Sequence, residues 1–428
     1  MRFSILATLA SLALSHAAQY NGVTDRWSFD LERVQNPRWM STVRDDVLLS
    51  QLSIPGTHNS MTNNIGKPEL QSQRVPIDTQ LLSGIRYFDI SGRIVNDDLK
   101  VYHRNTPTGY NFGQVFGSIF GFLDANPREV VILRIKKEHL GDRTSSFSQV
   151  LKNYFAPGTA LGNAAASRLY YPGADVSKIP TLGQLRGRLV ILQDFKKKKQ
   201  FGYFGIPWSS STISSYSFRP SPGNILKGLR WGFTKCSIWN AGRSNTKKLF
   251  VTHTTVSIGA RPIDIAAGGS NVNDVGMNRY LGEYIYRGNA GRIGVIAMDF
   301  PGAYLITQIL SLNTRFGALQ PMDPDALNPG SNAYPPAAGV YPPNSAPAAY
   351  PPAAYPPPPG SAAYPPPAVY PPPPPPTYRD RDTSDEVPPP AHEGLYPPPP
   401  AHEGLYPPPP AHGGLYPPPP TDEFGRSY

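Results

Sequence analysis

Three apolar runs in this chain end on residues that move protons. Leu52-Ser53-Ile54 leads through Pro55-Gly56-Thr57 to His58, Leu99-Lys100-Val101-Tyr102 ends at His103, and Ile293 to Met298 ends at Asp299. Two imidazoles and a carboxylate suffice for general acid–base chemistry. One imidazole removes a proton from a nucleophile, the other delivers one to a leaving oxygen, and the carboxylate fixes a tautomer. A single histidine is more often structural than catalytic. Three such groups at strand ends are a sharper signal, and they need a fold that gathers strand ends on one face.

The elements that would do this are legible as short apolar runs. They are Leu48 to Ile54, Arg86 to Ile94, Leu99 to His103, Val130 to Ile135, Leu189 to Leu192, Leu249 to Val251 and Ile293 to Met298. Several are continuously apolar, as in strands buried on both faces of a parallel sheet. Helical stretches such as Gly113 to Ala125 and Val275 to Tyr286 lie between them. Strand and helix alternating over some 300 residues predict a parallel α/β fold, a barrel or a doubly wound sheet. No glycine-rich fingerprint follows a strand, which weakens the nucleotide-binding alternative. In either fold the C-terminal strand ends carry the active site.

The flanks differ in kind from this middle. Arg2, an apolar stretch from Phe3 to Leu14 and small residues around Ala17 predict a secretory signal over 1–18. Secretion, with surface or wall association, is the expected location. Cys236 is the single cysteine, so stability rests on a packed core over 19–320 and not on an intramolecular disulfide. From 321 to 428 the chain becomes Tyr-Pro-Pro units closing in a ten-residue repeat, read as a disordered, polyproline-like tail. The net charge of +10 divides into −7 on that tail and +17 on the remainder. A basic body suits an anionic partner: nucleic acid, anionic lipid or a phosphorylated substrate. Nucleic acid lacks a matching module signature. Lys196 to Lys199 beside Phe195, Phe201, Tyr203, Phe204 and Trp208 could instead touch an anionic membrane. Lys197, Lys198, Phe201 and Trp208 are the candidate contacts.

The segment Ser53-Ile54-Pro55-Gly56-Thr57-His58-Asn59-Ser60 resembles the opening signature of the X domain of phosphatidylinositol-specific phospholipases C. Further blocks follow in family order: Gln80 to Ile90, Val101-Tyr102-His103, Phe122 to Leu133 before Lys136-Lys137-Glu138, Leu185 to Leu192, and Gly291 to Phe300. Together they cover roughly Trp39 to Asn313. The resemblance implies a distorted TIM-type (β/α)8 barrel that cleaves phosphatidylinositol, or glycan anchors built on it, to diacylglycerol and inositol 1,2-cyclic phosphate. It implies His58 as the base toward the inositol 2-hydroxyl, His103 as the acid toward the leaving oxygen and Asp299 as the group orienting His58. Asn59 and Asp89 fall in supporting positions. Because the nucleophile lies inside the substrate, the protein need only move protons and stabilise phosphoryl charge.

One departure bears on that last task. Metal-independent bacterial members carry an arginine two residues after the Asp of the second block, whereas this chain has Ser91. Calcium-dependent members place a carboxylate there. Lys136 stands where those have a glutamate ligand, which favours a metal-free mode, with a calcium requirement left open. Losing a fixed charge of this kind can cost ~10²–10³ in rate. Lys136 and Arg93, one pleat step beyond Ser91, are the candidates to supply it. The expected protein is a monomer acting on an inositol lipid with no cofactor. The alternatives are a catalytically weak inositol-lipid-binding relative and a scaffold for a surface-interacting tail.

Overall fold

The computed structural model describes residues 26–138, 146–173, 175–197, 201–217, 227–255, 260–269 and 274–321. The signal-type leader, the tail beyond Pro321 and Lys198 lie outside the described residues.

Ten strands form the sheet: β1 Ile54–Thr57, β2 Tyr87–Val95, β3 Asp98–His103, β4 Thr106–Asn111, β5 Val130–Lys137, β6 Arg188–Asp194, β7 Ile206–Pro207, β8 Ile213–Ser217, β9 Leu249–His253 and β10 Val295–Met298. Eight follow the order β7-β6-β5-β2-β1-β10-β9-β8, and every neighbouring pair is parallel. Across a flat sheet β2 and β9 would lie three spacings, about 14 Å, apart. Yet the side chains of Asp89 on β2 and His253 on β9 meet at 3.1 Å, so the sheet curls. The result is an α/β barrel, with no pairing between β7 and β8 among the described residues. β3 and β4 add an antiparallel excursion on β2.

The barrel core is what the continuous apolar runs foretell. Val130 to Leu133 and Leu189 to Leu192 are completely buried, with the sheet on either side and helices outside. The helices are α1 Ile77–Ser83, α2 Phe112–Ala125, α3 Phe147–Tyr154, α4 Ala160–Arg168, α5 Leu182–Leu185, α6 Lys227–Arg243, α7 Pro262–Ala266, α8 Met277–Tyr286 and α9 Ala303–Ser311. α2 begins where Asn111 Oδ1 accepts from the Gln114 N–H and the Gln114 side chain accepts from the Asn111 N–H. This reciprocal cap satisfies two amides that the first turn leaves without helical partners. The run from Leu48 to Ile54, expected as one strand, is instead a 3₁₀ turn at Leu49–Gln51, and β1 starts only at Ile54. Gln51 Oε1 accepts from the Leu48 N–H at 2.7 Å, and among the described residues Leu48 pairs only in a single antiparallel bridge with Thr181.

Two features hold the strand bearing the first histidine. At Gly56 a Cβ would fall 2.7 Å from Tyr87 Cδ1 and 3.1 Å from the Ile296 carbonyl, so β1 lies closer to its neighbours than any side chain permits. At the opposite end, Arg86 and Glu129 form a fully buried ion pair at 2.8 Å. The Arg86 guanidinium also donates to the carbonyls of Leu81, Ile85 and Pro37, while Glu129 accepts from the Met40 N–H. This network ties the segment before β1 to β2 and β5.

Candidate active site

Thr57 pairs with Met298 in the β1–β10 register, so the next residue on each strand, His58 and Asp299, emerges beside the other. The alignment continues past the strands: the His58 N–H donates to the Met298 carbonyl, and Gln73 Nε2 donates to the carbonyls of both residues, each at 2.9 Å. Asn59 then turns the chain away in a left-handed conformation, with φ of 44°, that asparagine tolerates better than most residues. His58 Nδ1 lies 3.0 Å from Asp299 Oδ1. The Asn59 amide nitrogen is farther from Nδ1, at 3.4 Å. The shorter, charge-assisted contact assigns the Nδ1 proton to the carboxylate and leaves Nε2 as the basic nitrogen. Burial opposes protonation of His58, but the attraction and hydrogen bond of Asp299 outweigh it and raise its pKa above the ordinary histidine value.

Asp89 holds the centre of the floor. Its backbone is tied to the loop after β1, because Ser60 N donates to the Asp89 carbonyl and Asp89 N donates to Ser60 Oγ. Its Oδ2 receives Arg134 Nη1 at 3.0 Å and faces His253 Nε2 at 3.1 Å. Burial works against its charge, but Arg134 and His253 overcome this and hold the carboxyl far below the usual carboxylate range. Arg134 also donates to Asp194 at 2.7 Å and lies 3.9 Å over the Trp208 ring. The sequence reading passed over Arg134, His253 and Asp194. Strand-end position signals His253 and Asp194, which close β9 and β6, whereas Arg134 lies within β5.

His103 reaches this face by a different route from the one expected. It ends β3, which runs antiparallel to β2, and does not end a barrel strand. Because Gly92 pairs with Val101, the excursion carries His103 back beside the middle of β2, toward Asp89 and Ser91. Burial, then the positive charges of His58, Arg104 and Lys136, push its pKa down to about 3. Those influences place His58, Asp89, Lys136 and His103 within one electrostatic neighbourhood. Lys136 is the register partner of Ser91 on the adjoining strand, so a cationic side chain does stand beside the missing arginine position. Arg93 does not fill it. Its guanidinium lies 4.3 Å over the Tyr102 ring and donates to the Arg104 carbonyl and to Asn105 Oδ1, bracing the turn that follows His103. Among the described residues, no three His, Cys, Asp or Glu side chains are grouped to hold a metal ion.

The expected membrane-contact loop is also altered. Phe201 is buried and Trp208 lies beneath Arg134, because β7 pairs with β6 and draws this segment onto the barrel. Lys197 folds back, donating to the Phe201 carbonyl at 2.9 Å. Tyr203 stays exposed in that loop, and α6 carries three further exposed apolar side chains, Leu229, Phe233 and Trp239.

Comparison with known proteins places the chain in a family. Residues 49–195 match the family model of the phosphatidylinositol-specific phospholipase C X domain. The 1-phosphatidylinositol phosphodiesterase of Listeria monocytogenes is 30% identical over 302 residues, spanning 65% of this chain and 86% of that protein. A Staphylococcus aureus 1-phosphatidylinositol phosphodiesterase is 28% identical over 160 residues, covering 36% of this chain and 49% of its own. The solved phosphatidylinositol-specific phospholipase C of Listeria monocytogenes superposes with a TM-score of 0.54 at 25% identity, covering 65% of this chain and 99% of that one. With the fold and the length of the match in agreement, the chain belongs to the phosphatidylinositol-specific phospholipase C family, enzymes that cleave phosphoric diesters.

Proposed function

We propose that this protein cleaves phosphatidylinositol, or glycan anchors built on it, to diacylglycerol and inositol 1,2-cyclic phosphate. The observation that carries the reading is the His58 Nδ1–Asp299 Oδ1 contact at 3.0 Å, which leaves Nε2 to accept a proton. His58 removes the inositol 2-hydroxyl proton, and that oxygen attacks the adjacent phosphorus. The phosphorus–oxygen bond to diacylglycerol breaks, and His103 protonates the departing oxygen. In the ligand-free protein His103 binds a proton poorly at neutral pH, with a pKa near 3. Burial and then the neighbouring cations depress it, and an anionic phosphodiester seated against Lys136 and His103 offsets the cations and so favours the charged acid. Lys136, beside Ser91, answers the developing phosphoryl charge in place of the absent arginine.

Peripheral membrane contact fits this substrate, and the exposed Leu229, Phe233 and Trp239 of α6 are apolar side chains available for it. Export fits a signal-type leader and is tested by N-terminal sequencing of the protein recovered from culture medium. Release of inositol 1,2-cyclic phosphate from phosphatidylinositol vesicles tests the main reading. Activity is expected in chelator, and its loss is expected in both His58→Ala and His103→Ala. Absence of turnover on any inositol lipid would refute it. A second reading, a lipid-binding relative with weak turnover, is favoured by Ser91 and by the commitment of Arg134 to Asp89 and Asp194. Saturable vesicle binding without product would establish it.

A further inference from the structure

His253 is a buried histidine at the end of β9, and neither the acid nor the base role uses it. Its Nε2 faces Asp89 Oδ2 at 3.1 Å and its Nδ1 faces the Tyr216 carbonyl at 3.3 Å. Its ring meets the His58 ring edge-on, with centroids 5.8 Å apart and planes at 88°. Asp89 on β2 and His253 on β9 belong to strands separated by β1 and β10, the two that carry His58 and Asp299. The contact therefore passes across the barrel mouth beneath the catalytic pair. With Arg134 and Asp194 it completes an ionic chain from β6 through β5 and β2 to β9.

We propose that His253 is a positioning residue for the phosphodiester reaction: it holds Asp89 beneath His58 and so sets the electrostatic field in which His58 gains and loses its proton. Asp89 is ionised, so the imidazole donates from Nε2, the nearer of its two contacts. That donation converges with the Arg134 Nη1 donation on one carboxylate oxygen, Oδ2, and the two together draw its charge away from His58. The groups acting on this pair come from every surrounding strand: Asp299 after β10, Asp89 on β2, Arg134 on β5 and Tyr216 on β8. Asp89 raises the basicity of His58, and Arg134 lowers it. Burial is the largest influence on His253 and, with His58 and Arg134, lowers its pKa despite Asp89. The protonation states of the two rings are thus linked, and each responds to the charge on the other.

The inference rests on the proposed function for its rate consequence, but not for its electrostatic one. His253→Phe keeps a ring and removes the donor, whereas His253→Gln restores an N–H toward Asp89. In His253→Phe the ring titration of His58, followed by NMR on the ligand-free protein, is expected to move to higher pH, because Asp89 is then held by Arg134 alone and acts more strongly on His58. With phosphatidylinositol vesicles, kcat is expected to fall ~10-fold, equivalent to about 1.4 kcal/mol, the scale of one hydrogen bond to a charged group. KM should change little, and the acid limb of kcat/KM should follow the NMR shift. His253→Gln should recover most of both effects. An unmoved His58 titration in His253→Phe would overturn the proposal, as would a Gln variant no closer to wild type than the Phe variant. If the wild-type protein fails to turn over phosphatidylinositol, the proposed function fails alone, and the NMR titration still decides the place of His253.

Discussion

Replacing Asp299 by Asn tests the central pair with the least disturbance of shape. The carboxylate is 1% exposed and its Oδ1 lies 3.0 Å from His58 Nδ1. A hydrogen bond to a charged group in such a site contributes ~1.5–3 kcal/mol. Losing that bond, and the attraction that goes with it, lowers the His58 pKa. Burial, no longer opposed by Asp299, works in the same direction. The transition state carries an imidazolium at His58, and the same loss of stabilisation costs ~10–10² in kcat/KM. The assay is release of water-soluble inositol phosphate from phosphatidylinositol vesicles across about pH 5 to 8, where histidine titrates. The expected result is a lower rate with the acid limb displaced to lower pH. Stability carries a matching sign. His58 has a raised folded-state pKa, so its pairing contributes fully below the ordinary histidine pKa and is lost as pH rises through the raised value. The Asn variant should therefore lose stability mainly at the acid end. A kcat/KM within about threefold of wild type, a difference of under ~1 kcal/mol, with an unmoved acid limb would refute the reasoning.

His103 gives the opposite pH signature. Its folded-state pKa lies near 3 against an ordinary 6.5. The unfolded chain therefore binds the proton first, and stability falls as pH drops through that interval. His103→Gln should flatten this part of the melting-temperature profile, and an unchanged acid slope would contradict the assignment. At the other end of the barrel, Glu129→Ala strands the buried Arg86 charge. That change should cost ~3–5 kcal/mol in urea unfolding, and a loss below ~1 kcal/mol would show that the carbonyl contacts of Arg86 suffice.

Much of this architecture was readable from one chain because its causes are local. Continuous apolar runs such as Val130 to Leu133 can be buried only between two layers, and alternation with helical stretches makes the sheet parallel. The ordered blocks around His58, His103 and Asp299 named the family, and the β1–β10 register joined two of those residues directly.

Other features depended on neighbours that no local pattern specifies. Arg93 shares a strand face with Ser91, but the tight turn after His103 offered its guanidinium two oxygens and Tyr102 a ring, so it braces that turn. Phe201 and Trp208 read as a membrane loop because aromatics beside lysines do, yet pairing of β7 with β6 drew them onto the barrel. His103 looked like the end of a barrel strand and lies on an antiparallel one, since strand direction is a property of the partner and not of the run.

The sequence by itself thus determined the layered α/β fold, most of the apolar runs that build its barrel, though not β4, β7 or β8, and His58 and Asp299 as a candidate pair. Only the tertiary structure decided what lies beneath that pair. Asp89, Arg134, Asp194 and His253 come from four strands spread over more than 160 residues, with |i−j| of 164 between His253 and Asp89. Their meeting depends on how far the sheet curls, and curl is a sum of twists and side-chain volumes over all strands that no single segment records.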